Sequence, residues 1–336
     1  MKKDNKSKKN LGQYFTINNP FEFNLFKEWS KNIKENDILL EPFAGSNNIV
    51  KLIKDVGINN NWKCYDIDNT NYNQCPEYPI IQNDSIKNFP NGFRVSITNP
   101  PYLAKVSASR QKLDYPNTKY ADLYMLCLEK ILNNCEYVAA IIPESFITQD
   151  LFIDRLFGII SLNIKMFNDT DCPVCLALFS PKQKNKCINI CVGNENIGNL
   201  YDLKKYNLHE YYNMYTKWKF NDKNGIIGVK CVDNTITDNI YFLDGNLINA
   251  DNIKISSRSF SRISGIPKDI DMYTFINKCN DILKEYRLLT KDVFMTSFKN
   301  LRVDKKYRRR IDFKTIRCIM NKSLYELGYN HEISLF

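Results

Sequence analysis

The sequence predicts an α/β protein with a doubly wound, mostly parallel sheet in the first part of the chain and a second, smaller C-terminal domain. Two observations predict the sheet: short apolar segments alternate with helical stretches up to residue 180, and polar residues follow four successive apolar segments. A third predicts the second domain, because this alternation stops at the polar segment 181–186 and gives way to short segments, turns and basic clusters.

Each element of the sheet follows from a local pattern. Apolar residues at helical spacing predict one helix at 49–57, ending at Gly57, and another at 121–132. Apolar runs predict the strands, which lie at 37–44, 62–68, 78–84, 94–102, 137–146, 164–169 and 174–180. Strands that alternate with helices predict parallel pairing, with helices on both faces of the sheet.

Charge divides the chain at the same place. We expect a basic tail at 1–10, a first domain at 11–180 and a basic domain at 181–336. Residues 1–180 hold as many basic as acidic side chains, so residues 181–336 carry the whole net charge of +10. This asymmetry favours a catalytic module beside a module that binds a polyanion. The alternative is that the surplus only keeps the protein soluble.

The eleven cysteines are scattered and odd in number, so the sequence predicts no disulfide framework and favours a reducing, cytoplasmic environment. The spacing of Cys172, Cys175, Cys187 and Cys191 would suit zinc. The apolar segments that contain these cysteines, 172–180 and 187–192, fit buried strands better, so we expect no metal. No apolar run reaches 18 residues, and the lysine-rich start is not a secretory signal, so we expect no membrane partner.

Polar residues mark the ends of four consecutive predicted strands. Segment 41–46 follows the first strand, Asp66 and Asp68 the second, Asp84 the third and segment 99–102 the fourth. Ligands of doubly wound sheets bind at the carboxyl ends of the strands. We therefore expect these residues to line one pocket.

The segment Asn99-Pro100-Pro101-Tyr102 has the strongest chemical signature. The two prolines fix an extended backbone and remove N–H donors. The Asn99 side-chain oxygen and the Pro100 carbonyl can then accept both hydrogens of an amino group, which directs its nitrogen at an electrophile. Tyr102 offers a ring on which a base can stack. The alternative is a proline-stiffened turn that only closes the strand.

Taken together, these motifs resemble those of the amino-directed DNA methyltransferases over residues 11–180, with the motif order of the gamma class. The resemblance implies a Rossmann-like fold, S-adenosyl-L-methionine as cofactor and Asn99, Pro100, Pro101 and Tyr102 as catalytic residues. Asn47 stands where the family usually has a second glycine. The resemblance also implies a set of cofactor contacts: Tyr14, Phe15, Thr16, Glu41, Pro42, Phe43, Ala44, Gly45, Asp66, Ile67, Asp84, Ser85 and Asn99.

Two of these implied roles have plain alternatives. Asp66 is expected to bind ribose hydroxyls, and Asp84 the adenine amino group of the cofactor, but an aspartate at a strand end also caps helices and forms turns. Many relatives place an aromatic residue near 167–175 to sandwich the target base. The aligned position holds Cys172, and Phe167 is the other candidate.

Three basic segments are candidates for DNA contact, with a solvated surface as the alternative for each. They supply Lys105 and Arg110 after the catalytic motif, Arg258 and Arg262 within 256–265, and a basic run near the C-terminus comprising Lys305, Lys306, Arg308, Arg309 and Arg310.

The sequence thus favours a site-specific enzyme that methylates adenine N6 in double-stranded DNA after base flipping. The resemblance implies a restriction–modification system, in which a cognate restriction endonuclease would act separately. The alternatives are an RNA adenine-N6 methyltransferase, a cytosine-N4 DNA methyltransferase and an inactive nucleic-acid-binding protein.

Overall fold

A computed structural model of the chain describes residues 18–68, 72–162, 165–167, 172–182, 187–206, 208–304 and 306–329. The chain divides into two compact units after Asn196. The sequence placed this boundary at 181. The division falls later because residues 189–192 pair with a strand of the first sheet and so belong to the first unit.

The first unit has its strands and helices in α/β order. Its helices are α1 (Asn24–Ser30), α2 (Asn48–Asp55), α3 (Lys105–Gln111) and α4 (Leu123–Asn134). Its strands are β1 (Leu39–Glu41), β2 (Trp62–Asp66), β3 (Ile80–Gln82), β4 (Val95–Thr98), β5 (Tyr137–Pro143), β6 (Leu156–Ser161), β7 (Val174–Phe179) and β8 (Asn189–Val192), and β9 (Glu195–Asn199) runs across the division.

The strand order of this sheet is β3-β2-β1-β4-β5-β7-β6-β8-β9. Neighbouring strands from β3 to β5 pair in parallel. Strand order runs outward in one direction from β1 and in the other from β4, so a topological switch point lies between these two strands. This confirms the predicted doubly wound, mostly parallel sheet and identifies the crevice in which such sheets bind ligands.

The far side of the sheet differs from the prediction. β7 pairs antiparallel with both β5 and β6, and no helix separates β6 from β7 in the described residues. The strand expected at 164–169 is wrong for the residues described there, since 165–167 contain only an isolated bridge at Phe167. The missed strand is β6, which lies eight residues earlier in the chain.

The core of the first unit packs α1 and α2 against the sheet. Phe21, Phe26 and Trp29 are fully buried, and the Trp29 indole donates a 2.8 Å hydrogen bond to the Phe179 carbonyl of β7. Helix α4 buries most of its length, which leaves few side chains of that helix facing water. The strand ends at the switch point are therefore held by a rigid framework.

The second unit is built from smaller sheets. Strands β10 (Lys219–Phe220), β11 (Ile227–Lys230), β12 (Tyr241–Asp244) and β13 (Phe260–Ser264) form a four-stranded sheet in the order β10-β13-β11-β12, and β14 (Thr296–Leu301) pairs with β15 (Tyr307–Arg310). Its helices are α5 (Leu200–Lys205), α6 (Met272–Thr290) and α7 (Phe313–Glu326). Asp271 and Asp312 cap α6 and α7 by accepting backbone N–H bonds.

All eleven cysteines lie in the described residues as free thiols. Nine are buried, Cys172 is half-buried and Cys187 is exposed. Among the residues of the described ranges, no helix is long and apolar enough to cross a membrane.

Candidate active site

Glu41 lies at the switch point, at the carboxyl end of β1, and is fully buried. Its Oε1 accepts hydrogen bonds from the Thr98 hydroxyl of β4 (2.6 Å) and from the Phe43 N–H (3.0 Å). Its Oε2 is buried with no hydrogen-bond partner in the described part of the chain. Burial raises the pKa of Glu41 to about 8, against the lowering effect of these hydrogen bonds. A buried carboxyl with a spare oxygen suits a cationic or hydrogen-bond-donating ligand.

A tight turn follows β1 and begins α2. Gly45 has φ of +54° and Asn47 has φ of +60°, so two residues of this turn lie in the left-handed region. The turn is pinned to β2, because the Ala44 N–H donates to the Tyr65 carbonyl (2.8 Å) and the Gly45 N–H donates to Asp66 Oδ2 (2.8 Å). The backbone can therefore approach a ligand closely at the start of α2.

Asn47 adopts the backbone conformation for which a second glycine was expected. Asparagine tolerates this conformation better than most residues, because its short polar side chain can bond locally. Its buried Nδ2 donates to Asn73 Oδ1 and to the Tyr78 carbonyl, both at 2.9 Å. The asparagine thus keeps the turn geometry and also ties it to the segment before β3.

Asp66 ends β2 beside this turn and is 5% exposed. Its Oδ2 accepts from Gly45 and its Oδ1 accepts the Asp68 N–H (2.9 Å), while burial raises its pKa. Asp66 therefore organises the turn in this structure. Each carboxylate oxygen has two acceptor sites, so these bonds leave room for the expected ribose hydroxyls. The neighbouring Ile67 is exposed, as an apolar contact to a ligand would require.

Asp84 forms a turn after β3. Its Oδ1 accepts the N–H groups of Ile86 (3.1 Å) and Lys87 (3.3 Å), and its Oδ2 lies 3.3 Å from the Lys87 ammonium. These contacts correspond to the turn-forming alternative. The adjacent Ser85 is buried, and its hydroxyl accepts from Asn83 Nδ2 (3.1 Å). A cofactor role for Asp84 and Ser85 stays a prediction.

Asn99 and Tyr102 are joined by a hydrogen bond directly after β4. The Tyr102 hydroxyl lies within bonding distance of two acceptors, Asn99 Oδ1 and the Ile141 carbonyl of β5 (2.7 Å). A hydroxyl has one hydrogen, so it can donate fully to only one of these two groups. The contact holds the half-buried Asn99 amide in place beside Pro100 and Pro101.

The Tyr102 ring packs edge-on against two other rings. Its centroid is 6.3 Å from that of Tyr124, at 84°, and 6.1 Å from that of Phe167, at 72°. Phe167 is 1% exposed and belongs to the hydrophobic core. Its steep angle and burial do not match a second face of a base sandwich. The aligned Cys172 is half-buried, and burial raises its thiol pKa to about 11.

Some predicted residues lie outside the described ranges. Among the cofactor candidates these are Tyr14, Phe15 and Thr16, and among the DNA contacts Lys305. Of the remaining cofactor candidates, Pro42 is buried and Phe43 is half-buried, and both lie between Glu41 and the turn at Gly45.

Sequence reasoning missed three polar residues near this site. Thr98 bridges β4 to Glu41, and its signal was a polar residue inside an apolar strand immediately before the catalytic motif. Tyr124 was read as core, yet its fully buried hydroxyl has no hydrogen-bond partner in the described residues. Ser161 of β6 donates to the buried Glu144, which follows β5, and was missed because β6 itself was missed.

The predicted basic contacts separate into exposed and buried groups. Lys105 and Arg110 are exposed on α3, and Arg258 is exposed in the segment before β13. Arg262 is 8% exposed, and its guanidinium donates to the Gly225 carbonyl (2.8 Å) and to Asn246 Oδ1 (3.1 Å). Arg262 is therefore a structural residue, which corrects its assignment as a DNA contact.

Residues 307–310 of the basic run form a strand, β15, with alternate residues turned inward. Arg309 is 7% exposed and donates to Ser297 Oγ (2.8 Å), so its assignment as a DNA contact is corrected for the same reason. Arg308 is half-buried and donates to the Asp233 carbonyl (2.8 Å). Arg310 is half-buried, and Lys306 is exposed.

No group of three or more potential metal ligands occurs in the ranges that the structure describes. Cys175 lies in β7 and Cys191 in β8, on strands that both neighbour β6. Both side chains are buried, as the strand interpretation of these segments expects.

Comparison with known proteins gives matches to solved structures only. No protein-family model and no curated protein sequence matches the chain. A proposed class I S-adenosylmethionine-dependent methyltransferase from Listeria monocytogenes is 16% identical, with a TM-score of 0.35 over 49% of this chain and 61% of that one. The methyltransferase subunit of a type I restriction–modification system from Streptococcus thermophilus is 14% identical, with a TM-score of 0.40 over 58% and 53%.

A proposed RNA methyltransferase from Pyrococcus horikoshii is 15% identical, with a TM-score of 0.34 over 55% of this chain and 97% of that one. The chain matches little more than half the length of the Listeria and Streptococcus proteins. The strand order and pairing of this chain themselves establish its α/β, doubly wound fold. At the switch point this fold brings together a buried carboxyl, a left-handed turn and an oriented asparagine.

Proposed function

We propose that the chain is an S-adenosyl-L-methionine-dependent methyltransferase acting on adenine N6 in double-stranded DNA. The observation that carries this proposal is the position of Asn99 at the switch point, where its side-chain amide is held by the Tyr102 hydroxyl. A side-chain amide fixed at the carboxyl end of β4 can present its oxygen to an incoming amino group.

The amine would be held by two acceptors of the chain. Asn99 Oδ1 and the Pro100 carbonyl each accept one hydrogen of the amino group, which leaves the nitrogen lone pair free for attack. The prolines keep this corner rigid because both have a restricted φ and neither has an N–H to donate. Positioning of this kind supplies much of the rate of a direct transfer between two bound groups.

The residues at β1 and β2 fit a cofactor with a cationic amino group and a ribose. The unpartnered Glu41 Oε2 would accept from the amino group, and Asp66 would accept from ribose hydroxyls beside the Gly45 turn. When bound, S-adenosyl-L-methionine supplies an electrophilic methyl group on a sulfonium. The N-terminus of α2 follows the turn and favours a carboxylate.

Double-stranded DNA is proposed as the partner because residues 181–336 carry the net charge of +10. An adenine in a duplex must leave the stack to reach a pocket at the strand ends, so base flipping is part of the proposal. A restriction–modification role, with a separately acting endonuclease, follows from the motif resemblance. RNA adenine-N6 and cytosine-N4 methylation remain the nearest alternatives, since the same corner would accept either amine.

The decisive experiment supplies labelled S-adenosyl-L-methionine with duplex DNA or with total RNA, followed by nucleoside analysis. We expect label in N6-methyladenine from DNA. Label confined to RNA, or to N4-methylcytosine, would replace the proposal by one of its alternatives. DNA binding without transfer to either polymer would favour the inactive nucleic-acid-binding protein.

Asn99→Ala tests the carrying observation. Removing one preorganised polar contact to a reacting group commonly costs about 10²–10³ in kcat, so we expect a loss of at least this size. DNA binding should stay near the wild-type level, because Asn99 is uncharged and the phosphate contacts of the proposal come from basic side chains. Asn134→Ala, an exposed site at the end of α4, is the matched control and should keep full activity.

A further inference from the structure

Three cations of the second unit converge on three aromatic rings, although they come from separate parts of the chain. The Arg258 guanidinium lies 5.1 Å from the Phe313 ring centroid, and that of Arg317 lies 5.6 Å from the Phe220 centroid. Tyr212 receives Arg317 and the Lys314 ammonium, each at 5.7 Å. We call these six residues the basic–aromatic row: Tyr212, Phe220, Arg258, Phe313, Lys314 and Arg317.

Two of the rings hold the row together. Phe220 of β10 stacks on Phe313 at the start of α7, with centroids 4.6 Å apart and an interplanar angle of 21°. This stack joins the sheet to the helix and fixes the surfaces on which the guanidinium groups rest. Arg258 and Lys314 are exposed, and Arg317 is half-buried.

The cations of the row are not neutralised by carboxylates. None of the three forms an ion pair within the described residues, and the hydrogen bonds of Arg258 and Arg317 go to backbone carbonyls. Asp312 is the nearest acid in sequence, and its side chain accepts the Thr315 N–H as the cap of α7. The row therefore presents uncompensated positive charge.

The basic segment near 302–310 shows the opposite arrangement. Arg302 pairs with Asp238 and Asp304, the Arg308 side chain donates to the Asp233 carbonyl, and the buried Arg309 side chain donates to Ser297 Oγ. The stretch with the most basic sequence thus uses much of its charge inside the protein. The segment richest in arginine is therefore not the surface on which unpaired positive charge is exposed.

We propose that the basic–aromatic row contacts the phosphate backbone of duplex DNA, an assignment that rests on the proposed function and names the surface that would serve it. Guanidinium and ammonium groups held by rings are presented in fixed positions, which reduces the conformational entropy lost when phosphates bind.

The rings favour a duplex backbone over unpaired bases. A single strand would need open ring faces on which to stack. In this row Phe220 and Phe313 cover each other and arginines lie over both, so the faces are occupied by contacts within the protein. The cations, rather than the rings, are what a partner would meet.

The salt dependence of DNA binding tests this proposal. For the full chain and a DNA duplex, the slope of log K against log salt falls by about 0.9 for each phosphate that the protein no longer neutralises. We expect the variant Arg258→Gln/Lys314→Gln/Arg317→Gln to show this decrease for each of its three cations. The single variant Lys314→Gln, at an exposed site, should show one such step and guards against misfolding of the triple variant.

The matched control is Lys223→Gln/Lys268→Gln/Lys284→Gln, which removes the same charge from exposed sites of the same unit. It should keep the wild-type slope. Equal decreases in the slopes of both triple variants would show a general charge effect and overturn the proposal. The proposal would also be overturned if the row variant had the melting temperature of the wild type and bound DNA as the wild type does. Stronger binding to an RNA duplex, abolished in the row variant, would reassign the surface to RNA.

These outcomes separate the two proposals. If the wild type forms no N6-methyladenine but the row variant has the reduced salt slope, the proposed function fails and the DNA-binding surface stands. If the wild type methylates DNA and the row variant keeps its slope, the surface fails and the function stands.

Discussion

The two units differ in whether their buried carboxylates are paired with cations. In the first, Glu41 and Asp66 are buried at strand ends, and neither has a cationic partner in the described residues. In the second, Asp233 is fully buried but makes two 2.9 Å contacts with the guanidinium of Arg287, which also pairs with Asp292. Burial raises the pKa of both Glu41 and Asp66, whereas ion pairing raises the pKa of Arg287 despite burial.

The difference teaches where a ligand is expected. Of the five buried side-chain atoms without a hydrogen-bond partner in the described chain, four lie in the first unit: Glu41 Oε2, Asn47 Oδ1, Trp62 Nε1 and Tyr124 Oη. Unsatisfied buried polar atoms are costly in a stable fold and call for an explanation such as a bound group. The saturated network of the second unit needs no such group and acts as a structural element.

The largest expected effect is on the saturated network. Asp233→Ala leaves Arg287 short of a partner in the interior, so we expect the free energy of unfolding to fall by about 3–5 kcal/mol. Chemical denaturation measures this change, and cofactor binding to the folded protein should be unchanged. Asp304→Ala, which removes an exposed partner of Arg302, is the control and should cost about 1 kcal/mol or less. Similar values for the two variants would contradict the distinction between the units.

Glu41→Gln tests the unsaturated site. The pKa of Glu41 is raised from 4.5 to about 8 in the fold, so the folded protein binds a proton that the unfolded chain releases. This contribution to stability is complete below the unfolded pKa and is lost as pH rises through the folded pKa. Between about pH 6 and pH 7.5 the loss is roughly 2 kcal/mol, at 1.4 kcal/mol for each unit.

The variant should therefore lose less stability than the wild type as pH rises over this interval, measured by denaturation without cofactor. Asp66 contributes with the same sign in both proteins and cancels in the difference. Parallel pH profiles for the two proteins would refute the raised pKa of Glu41.

The smallest effect concerns a single hydroxyl. Tyr102→Phe removes the bond that orients Asn99, so we expect kcat to fall about tenfold, or 1.4 kcal/mol, with little change in KM. Tyr137→Phe is the matched control, since Tyr137 begins β5 at the opposite edge of the sheet from Asn99, and it should keep kcat. Equal kcat values in the two variants would remove the positioning role of Tyr102.

The sequence was sufficient to predict the parallel half of the sheet and the residues at its strand ends. Apolar runs are reliable where a strand is buried on both faces, as in β4 and β5. The left-handed turn at Asn47 was also accessible, because few residue types tolerate that conformation.

The far side of the sheet was not predictable in the same way. β6 contains Gly158, and a Cβ there would lie 2.9 Å from the Asn189 carbonyl oxygen and from a Leu25 methyl group. Close packing between distant segments thus requires the glycine, although glycine weakens the local strand signal. The antiparallel position of β7 between β5 and β6 cannot be predicted from any local sequence pattern.

The arginine run failed as a surface prediction for a related reason. In β15 the strand alternation turns the Arg309 side chain inward, and the Arg309 backbone N–H donates to Asp233, which lies 76 residues earlier. Pairing over such separations cannot be read from local composition. The basic–aromatic row was hidden by the same distance, since its members are spread from Tyr212 to Arg317.

Because most of the cysteines are buried, the extent of thiol alkylation would measure how far the chain has unfolded. Cys187 is the one fully exposed thiol among the eleven, all of which are free. Thiolates alkylate and thiols do not, so burial that raises thiol pKa values also slows reaction. A pulse of alkylating reagent would then modify the native protein chiefly at Cys187. The mass gained would increase as each unit opens, with seven further thiols reporting on the first unit and three on the second.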